Sequence, residues 1–160
     1  MTNRKKRVGI FGGSFNPPHL GHLLAAVYAL KMFELDEIWF TPAYQHAFKK
    51  HLAPFSQRYR MLKQLIQGFT SKCRISNIEA RIKNDGKMLH TIVALKKRWP
   101  RYRFFLVIGS DLTTETKRWY RFSEIQNKFG VLTVPRMKSK SRRIAIPNIS
   151  STKIRQLGTR

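Results

Sequence analysis

The stretch Gly12-Gly13-Ser14-Phe15-Asn16-Pro17-Pro18-His19-Leu20-Gly21-His22 constrains this chain more than any other. Arg7-Val8-Gly9-Ile10-Phe11 before it is a short apolar run suited to a buried strand, and Leu23 to Phe33 after it carry a helical apolar period. The motif therefore reads as a strand-to-helix turn. Paired glycines allow a tight turn and a close approach of ligand to backbone, which a Cβ would obstruct. Pro17 and Pro18 suit the first helical positions, where a missing N–H costs nothing. The free N–H groups and positive dipole end of the helix then face outward as an anion site. His19 and His22 project to one side of the same turn. A His-x-x-His pair or a Gly-Gly turn alone is weak evidence, but two imidazoles over a helix N-terminus suit a polyphosphate. Neither a Gly-Lys-Ser/Thr nor a Gly-x-Gly-x-x-Gly follows the strand, so a Walker loop and the dinucleotide fingerprint are excluded.

Strand and helix patterns alternate through the rest of the chain. Expected strands are Glu37 to Pro42, Arg74 to Ile78, Arg103 to Ile108 and Val131 to Val134, with Arg143 to Ile146 as a sixth. Between them, helices are expected from about Ser56, as N-cap, to Phe69, from Met88 to Arg98 before Pro100, and from Ser123 to Phe129. The fold class is α/β: a doubly wound, mainly parallel sheet of five or six strands with helices on both faces. Ligands of such sheets bind at the carboxyl ends of the strands, near the point where strand order reverses. That rule places Gly12, Pro42 and Gly109-Ser110-Asp111 along one rim.

At 160 residues, 42% of them hydrophobic, the chain is expected to be one globular domain spanning residues 1–160. A single cysteine, Cys73, cannot form an internal disulfide, which suits a reducing compartment. The apolar run after the basic N-terminus breaks too early for a signal peptide, and no stretch approaches a membrane span, so the expected location is the cytoplasm. Charge is the anomaly, with 32 Lys and Arg against 8 Asp and Glu, a net +24. A basic field steers phosphorylated substrates, but binding them needs only about half a dozen cations. The surplus is spread along the chain, which favours a generally basic surface; weak nonspecific nucleic-acid binding is the other reading. Its densest cluster, Arg136 to Arg143, reads as a solvated loop.

Asn148-Ile149-Ser150-Ser151-Thr152-Lys153-Ile154-Arg155 is the second anchor, hydroxyls leading into a short helix whose N-terminus offers free donors. By itself it is a capped helix. Together with the first motif, in that order, it resembles the two signatures of the HxGH nucleotidyltransferase superfamily. Within that superfamily three further stretches resemble the bacterial nicotinate mononucleotide adenylyltransferases: Val107 to Leu112 followed by Trp119 to Ile125, His90 to Leu95, and Pro54 to Leu62. The resemblance covers nearly the whole chain. It implies adenylyl transfer from ATP to nicotinate mononucleotide, with His19, His22 and Arg155 catalytic. ATP would lie against Gly12, Gly13, Ser14, Phe15, His19, His22, Gly109, Asp111, Ile149, Ser150, Ser151, Thr152 and Arg155, with Asp111 on the ribose hydroxyls. The nicotinate nucleotide would meet Ser14, Phe15, Lys49, Thr91 and Trp119, the indole stacking on the pyridine ring; a plain core role for Trp119 is the alternative. Mg²⁺ is the expected cofactor, carried by the ATP phosphates because no carboxylate cluster offers a protein metal site.

The chain departs from the family at three places. The Pro-Pro-His of the substrate loop is His46-Ala47-Phe48, the tyrosine before Thr91 is His90, and the last helix is short. Phosphopantetheine adenylyltransferases, which carry Thr in place of His19, and cytidylyltransferases, which end in a different run, rank lower. A noncatalytic RNA-binding module on the same fold is the rival of another class; intact His19, His22, Asp111 and Arg155 weigh against it.

Overall fold

The computed structural model describes residues 4–46, 48, 51–136, 151, 152 and 155. Within them five strands, β1 (Arg7–Gly13), β2 (Glu37–Pro42), β3 (Cys73–Ile75), β4 (Arg103–Gly109) and β5 (Val131–Val134), all run parallel. They pair in the order β3-β2-β1-β4-β5. Sequence order therefore reverses between β1 and β4, and a crevice opens where the connections leave these neighbours.

Period-two side-chain alternation divides the core into two layers. Phe105 and Val107 of β4 pack with Ala25, Ala26 and Ala29 of α1 (Leu20–Met32) and Leu62 of α2 (Phe55–Leu65). Phe104, Leu106 and Ile108 point the other way, into a layer made with Ile78 of α3 (Ile78–Arg81), Leu89, Ile92 and Leu95 of α4 (Met88–Arg98) and Ile125 of α5 (Phe122–Lys128). Helices thus cover both faces, as the alternating pattern requires. The middle of β1 leaves no room for a side chain: a Cβ on Gly9 would lie 2.6 Å from Ile38, 2.7 Å from Leu35 and 2.9 Å from Val107.

Several local expectations need correction. Pro17 and Pro18 precede α1, whose N-cap is His19 in an extended conformation (φ −151°). Ser56 lies inside α2; Pro54 is its N-cap, and the helix ends at Leu65 before a 3₁₀ turn, Gln67–Phe69. β3 stops at Ile75 because Ser76 turns the chain: its N–H donates to Phe40 O (2.8 Å) and its Oγ accepts the N–H of Ile78 (3.2 Å), which begins α3. The proposed strand Arg143 to Ile146 lies outside the described residues.

Candidate active site

The turn after β1 is held from both sides. Gly13 O accepts the N–H of Ala43 (2.9 Å), joining it to the loop after β2. Phe15 takes a left-handed conformation (φ 47°), costly for a residue with a Cβ, and is anchored by its ring, 2% exposed and edge-on to Phe11, Phe40 and His22. Its side chain belongs to the core, so only its backbone can meet a ligand. The chain then enters α1 through His19 and His22, whose rings stack with centroids 3.8 Å apart. His22 Nδ1 accepts the N–H of His19 (3.1 Å), which leaves the proton of the neutral ring on Nε2. His19 Nδ1 is buried, with no hydrogen-bond partner among the described residues.

These rings line a cavity of about 130 Å³ in the crevice between the carboxyl ends of β1 and β4, with Gly12, Gly13, Gly109 and Arg136 on its walls. Arg136 is where the solvated-loop expectation fails. Parallel pairing of Gly109 with Val134 carries the residues after β5 beside those after β4. Arg136 then donates its N–H to Ser110 Oγ (2.9 Å) and its guanidinium to Asp111 Oδ2 (3.0 Å). A Cβ on Gly109 would meet the Asp111 carboxylate and lie 2.8 Å from Arg136 Cδ, so a side chain here would push this pair aside. Burial, reinforced by the Arg136 charge, lowers His19 to a pKa of about 4; burial, then the charges of His19 and Arg136, lower His22 to about 3. Both rings are neutral N–H donors at neutral pH.

The second motif reaches the same turn from the far end of the chain. Ser151 Oγ donates to Pro17 O (2.7 Å), Arg155 donates to Asn16 O, and the Arg155 guanidinium bonds Thr152 Oγ1 (3.2 Å). Ile149 and Ser150 lie outside the described residues. The Arg136 guanidinium, two imidazoles and the backbone of a glycine turn therefore line one crevice, and Arg155 binds the same turn at Asn16 O, a donor set suited to a polyanion.

A larger cavity of about 400 Å³ lies on the other side of Gly12 and Gly13, walled by Ser14, Thr41, Glu79, Met88, Leu112, Trp119 and Tyr120, with Gln45, His46 and Phe48 at its rim. Trp119 lies at the edge of the core and on the cavity wall: its ring meets Phe122 edge-on, against the second core layer, and it also lines the cavity. Thr91 is not on the wall. It is fully buried, donating to Glu79 Oε1 and accepting from Asn84 Nδ2 (2.8 Å), while Glu79 Oε2 accepts the N–H of Tyr44 (3.2 Å). Burial raises the Glu79 pKa against these bonds. Thr91 thus acts through Glu79, tying α4 to the loop after β2. Lys49 lies outside the described residues.

Two further residues escaped the sequence reading. Thr41 Oγ1 is buried at the cavity wall, with no hydrogen-bond partner among the described residues. Arg58, 1% exposed, sends its guanidinium to Ala53 O (2.8 Å), Ser14 O (2.7 Å) and Ala43 O (2.7 Å), so one side chain fastens α2, the glycine turn and the loop after β2. The only sequence signal for Arg58 was its place in the Pro54 to Leu62 resemblance.

The family model described as cytidylyltransferase-like matches residues 10–157. The chain belongs to that family. Among curated relatives it is 37% identical to the "Probable nicotinate-nucleotide adenylyltransferase" of Anaeromyxobacter dehalogenans, over 94% of this chain and 82% of that protein. It is 33% identical to the protein of the same name from Thermotoga maritima, over 96% and 82% respectively. In fold it is similar to the nicotinic acid mononucleotide adenylyltransferase of Plasmodium falciparum solved in complex with NaAD, with a TM-score of 0.75 and 20% identity over 94% of this chain and 83% of that one. A putative nicotinate-nucleotide adenylyltransferase from Vibrio parahaemolyticus aligns with a TM-score of 0.72 and 22% identity, over 94% and 79%.

Proposed function

We propose that the protein transfers AMP from ATP to nicotinate mononucleotide, forming nicotinate adenine dinucleotide and pyrophosphate, a step of NAD biosynthesis. The observation that carries this reading is that the two cavities share one wall, the backbone of Gly12 and Gly13. A polyphosphate in the crevice and a nucleotide in the larger cavity would meet across it. An oxygen of the acceptor 5′-phosphate attacks the α-phosphorus in line as the bond to the β-phosphate oxygen breaks. A phosphate is already an ionised nucleophile, so the protein needs no nucleophile of its own; it positions the reactants and stabilises charge on the transferring and leaving groups.

In this reading His19 and His22 donate N–H to the α- and β-phosphates, and Arg155, Ser150, Ser151 and Thr152 hold the leaving pyrophosphate. Arg136 joins them. Gly109 gives the adenosine close access to the backbone and Asp111 accepts from its ribose, exchanging Arg136 for the substrate hydroxyls. Trp119 stacks on the pyridine ring, Ser14, Thr41 and Lys49 supply polar contacts, and Thr91 steadies Glu79 from behind. Among the described residues no group of three or more His, Cys, Asp or Glu side chains could hold a metal ion. Asp111, beside the crevice, is paired with Arg136 (3.0 Å). Mg²⁺ therefore fits as part of the MgATP substrate, where it neutralises phosphate charge. Cytoplasmic work suits the buried free thiol of Cys73; among the described residues no helix is long and apolar enough to cross a membrane.

The test is pyrophosphate release from ATP or CTP with a panel of acceptors: nicotinate mononucleotide, nicotinamide mononucleotide, phosphopantetheine and glycerol 3-phosphate. Release with ATP and the nicotinate nucleotide at the highest kcat/KM is expected. Release only with phosphopantetheine, or only with CTP, would overturn the assignment.

A further inference from the structure

The surplus positive charge looks dispersed along the sequence, but the topology gathers part of it. β1 and β4 pair in parallel with Arg7 opposite Arg103, and Arg103 N–H donates to Lys6 O (2.8 Å). The residues preceding the two strands, Lys5-Lys6 and Arg101-Tyr102, consequently lie side by side at the amino edge of the sheet, the end opposite His19 and His22. Lys96, from the last turn of α4, closes the group by donating Nζ to Pro100 O and Tyr102 O, both at 2.8 Å. Two cavities of about 540 and 490 Å³ sit here on either side of Lys5, together a groove along the amino edge in which no described lining residue is acidic.

Compensation within the groove is incomplete. Arg4 pairs with Asp36 (2.6 Å), Lys6 with Glu37 (2.5 Å) and Lys128 with Glu124 (2.7 Å). Among the described residues no carboxylate lies within ion-pair distance of Lys5, Lys96, Arg101 or Arg103. Arg103 instead shares the Phe105 ring with Arg7, their guanidiniums 5.0 and 4.8 Å from its centre. Burial, and then the charge of Lys5, depress the pKa of Lys96, a direct sign of like-charge crowding. Such a cluster costs stability when bare and is offset by a bound polyanion.

We propose that this groove binds a single strand of nucleic acid by its phosphodiester backbone. A lone phosphate would neutralise only part of a site whose cations come from three separate segments. A lipid surface fits poorly, because stable docking there needs apolar insertion and none of the large exposed apolar side chains lines the groove. Tyr102 and Phe129, half-buried in the lining, give bases a ring to stack on, which a duplex could not use. Backbone recognition of this kind does not distinguish RNA from DNA.

Anisotropy of a labelled single-stranded RNA of about 20 nucleotides, and of the DNA of the same sequence, tests this at about 0.15 M salt, where micromolar binding of both is expected. The variant Lys5→Gln/Arg101→Gln/Arg103→Gln alters exposed side chains only and should weaken both at least about tenfold, with the log–log salt slope smaller by about 2, at roughly 0.7 per lost phosphate contact. Its kcat for adenylyl transfer at saturating substrates should match the parent's, which also shows that it folds. The control Arg60→Gln/Lys63→Gln/Arg81→Gln removes the same charge from exposed positions outside the groove and should bind as the parent does. Equal weakening of both variants would reduce the effect to net charge. Binding to phosphatidylglycerol vesicles without binding to either oligonucleotide would also overturn the proposal.

Discussion

His19 and His22 sit where a charged imidazole would be expected beside phosphate, yet burial and Arg136 keep both neutral in the free protein. The proposed role is therefore that of aimed N–H donors, and His19→Ala should lower turnover by roughly 10²–10³, the range for loss of one preorganised donor. Circular dichroism should stay at the parent's, and undiminished kcat at saturating substrates would remove His19 from the mechanism. Neutrality also sets a pH dependence. The folded values of about 4 and 3 lie below the ordinary 6.5, so between these limits the unfolded chain binds more protons. Stability from these rings is complete above pH 6.5 and is lost as pH falls through the folded values. Urea midpoints measured from pH 7 to pH 4 should fall, and a His19→Gln/His22→Gln variant should fall less steeply. Arg136→Gln supplies the converse test. Removing the neighbouring cation should raise both imidazole values, seen as ring titrations by NMR, and reduce ATP affinity or turnover about tenfold, because a bidentate phosphate partner is lost. A variant with unshifted rings and parental kinetics would return Arg136 to the surface.

Among the elements, α4 was legible to the residue, Met88–Arg98, because its apolar period is unbroken and Pro100 ends it. The end of β3 was not. Ile75 and Ile78 bracket a short stretch that reads as one strand, but Ser76 captures the backbone of Ile78 and starts a helix, a side-chain bond that sequence pattern does not encode. The site shows the same division. Gly12, Gly13, His19 and His22 are contiguous and legible, whereas Arg136 was hidden by its basic neighbours and Glu79 by an unremarkable Ile-Glu-Ala. Arg58 was the hardest to see, since a cation in an amphipathic helix ordinarily faces water. Here it joins three segments through three carbonyls, and removing it leaves those carbonyls buried and unpaired at about 1–3 kcal/mol each. Arg58→Met should therefore lower the thermal midpoint, with a loss of at least about 3 kcal/mol. Arg58→Lys, which can reach fewer acceptors, should fold better yet raise KM for both substrates, because Arg58 fixes the carbonyls of Ser14 and Ala43 in the turn and the loop that line the larger cavity. Parental KM values in the Lys variant would confine Arg58 to stability.

For the whole molecule the decisive quantity is the imbalance of 32 basic against 8 acidic residues. Of the acidic side chains, Asp36, Glu37, Asp85, Asp111 and Glu124 are in ion pairs and Glu79 is buried in hydrogen bonds; each carboxylate offsets one cation, and the remaining net +24 sets the field at a distance. Both proposed substrates are anions, and the crevice they must reach opens between guanidiniums at the carboxyl edge of the sheet. Attraction at long range accelerates encounter, by about 10–10³ in strongly steered systems, but adds nothing once the substrate is bound. Its signature is a kcat/KM that falls with salt while kcat holds. Raising KCl from about 20 to about 300 mM shortens the screening length from roughly 20 Å to below 8 Å, and kcat/KM for ATP should drop at least about fivefold. A neutral phosphate-free competitor of the nicotinate site should show no such dependence. The amino-edge groove allows the two uses of charge to be separated. If the field acts as a whole, Lys5→Gln/Arg101→Gln/Arg103→Gln and Arg60→Gln/Lys63→Gln/Arg81→Gln should lessen the salt dependence of kcat/KM equally, although only the first weakens nucleic-acid binding. A salt-independent kcat/KM in the parent protein would mean that the cations near the crevice act only at contact, and that the net charge has no part in substrate capture.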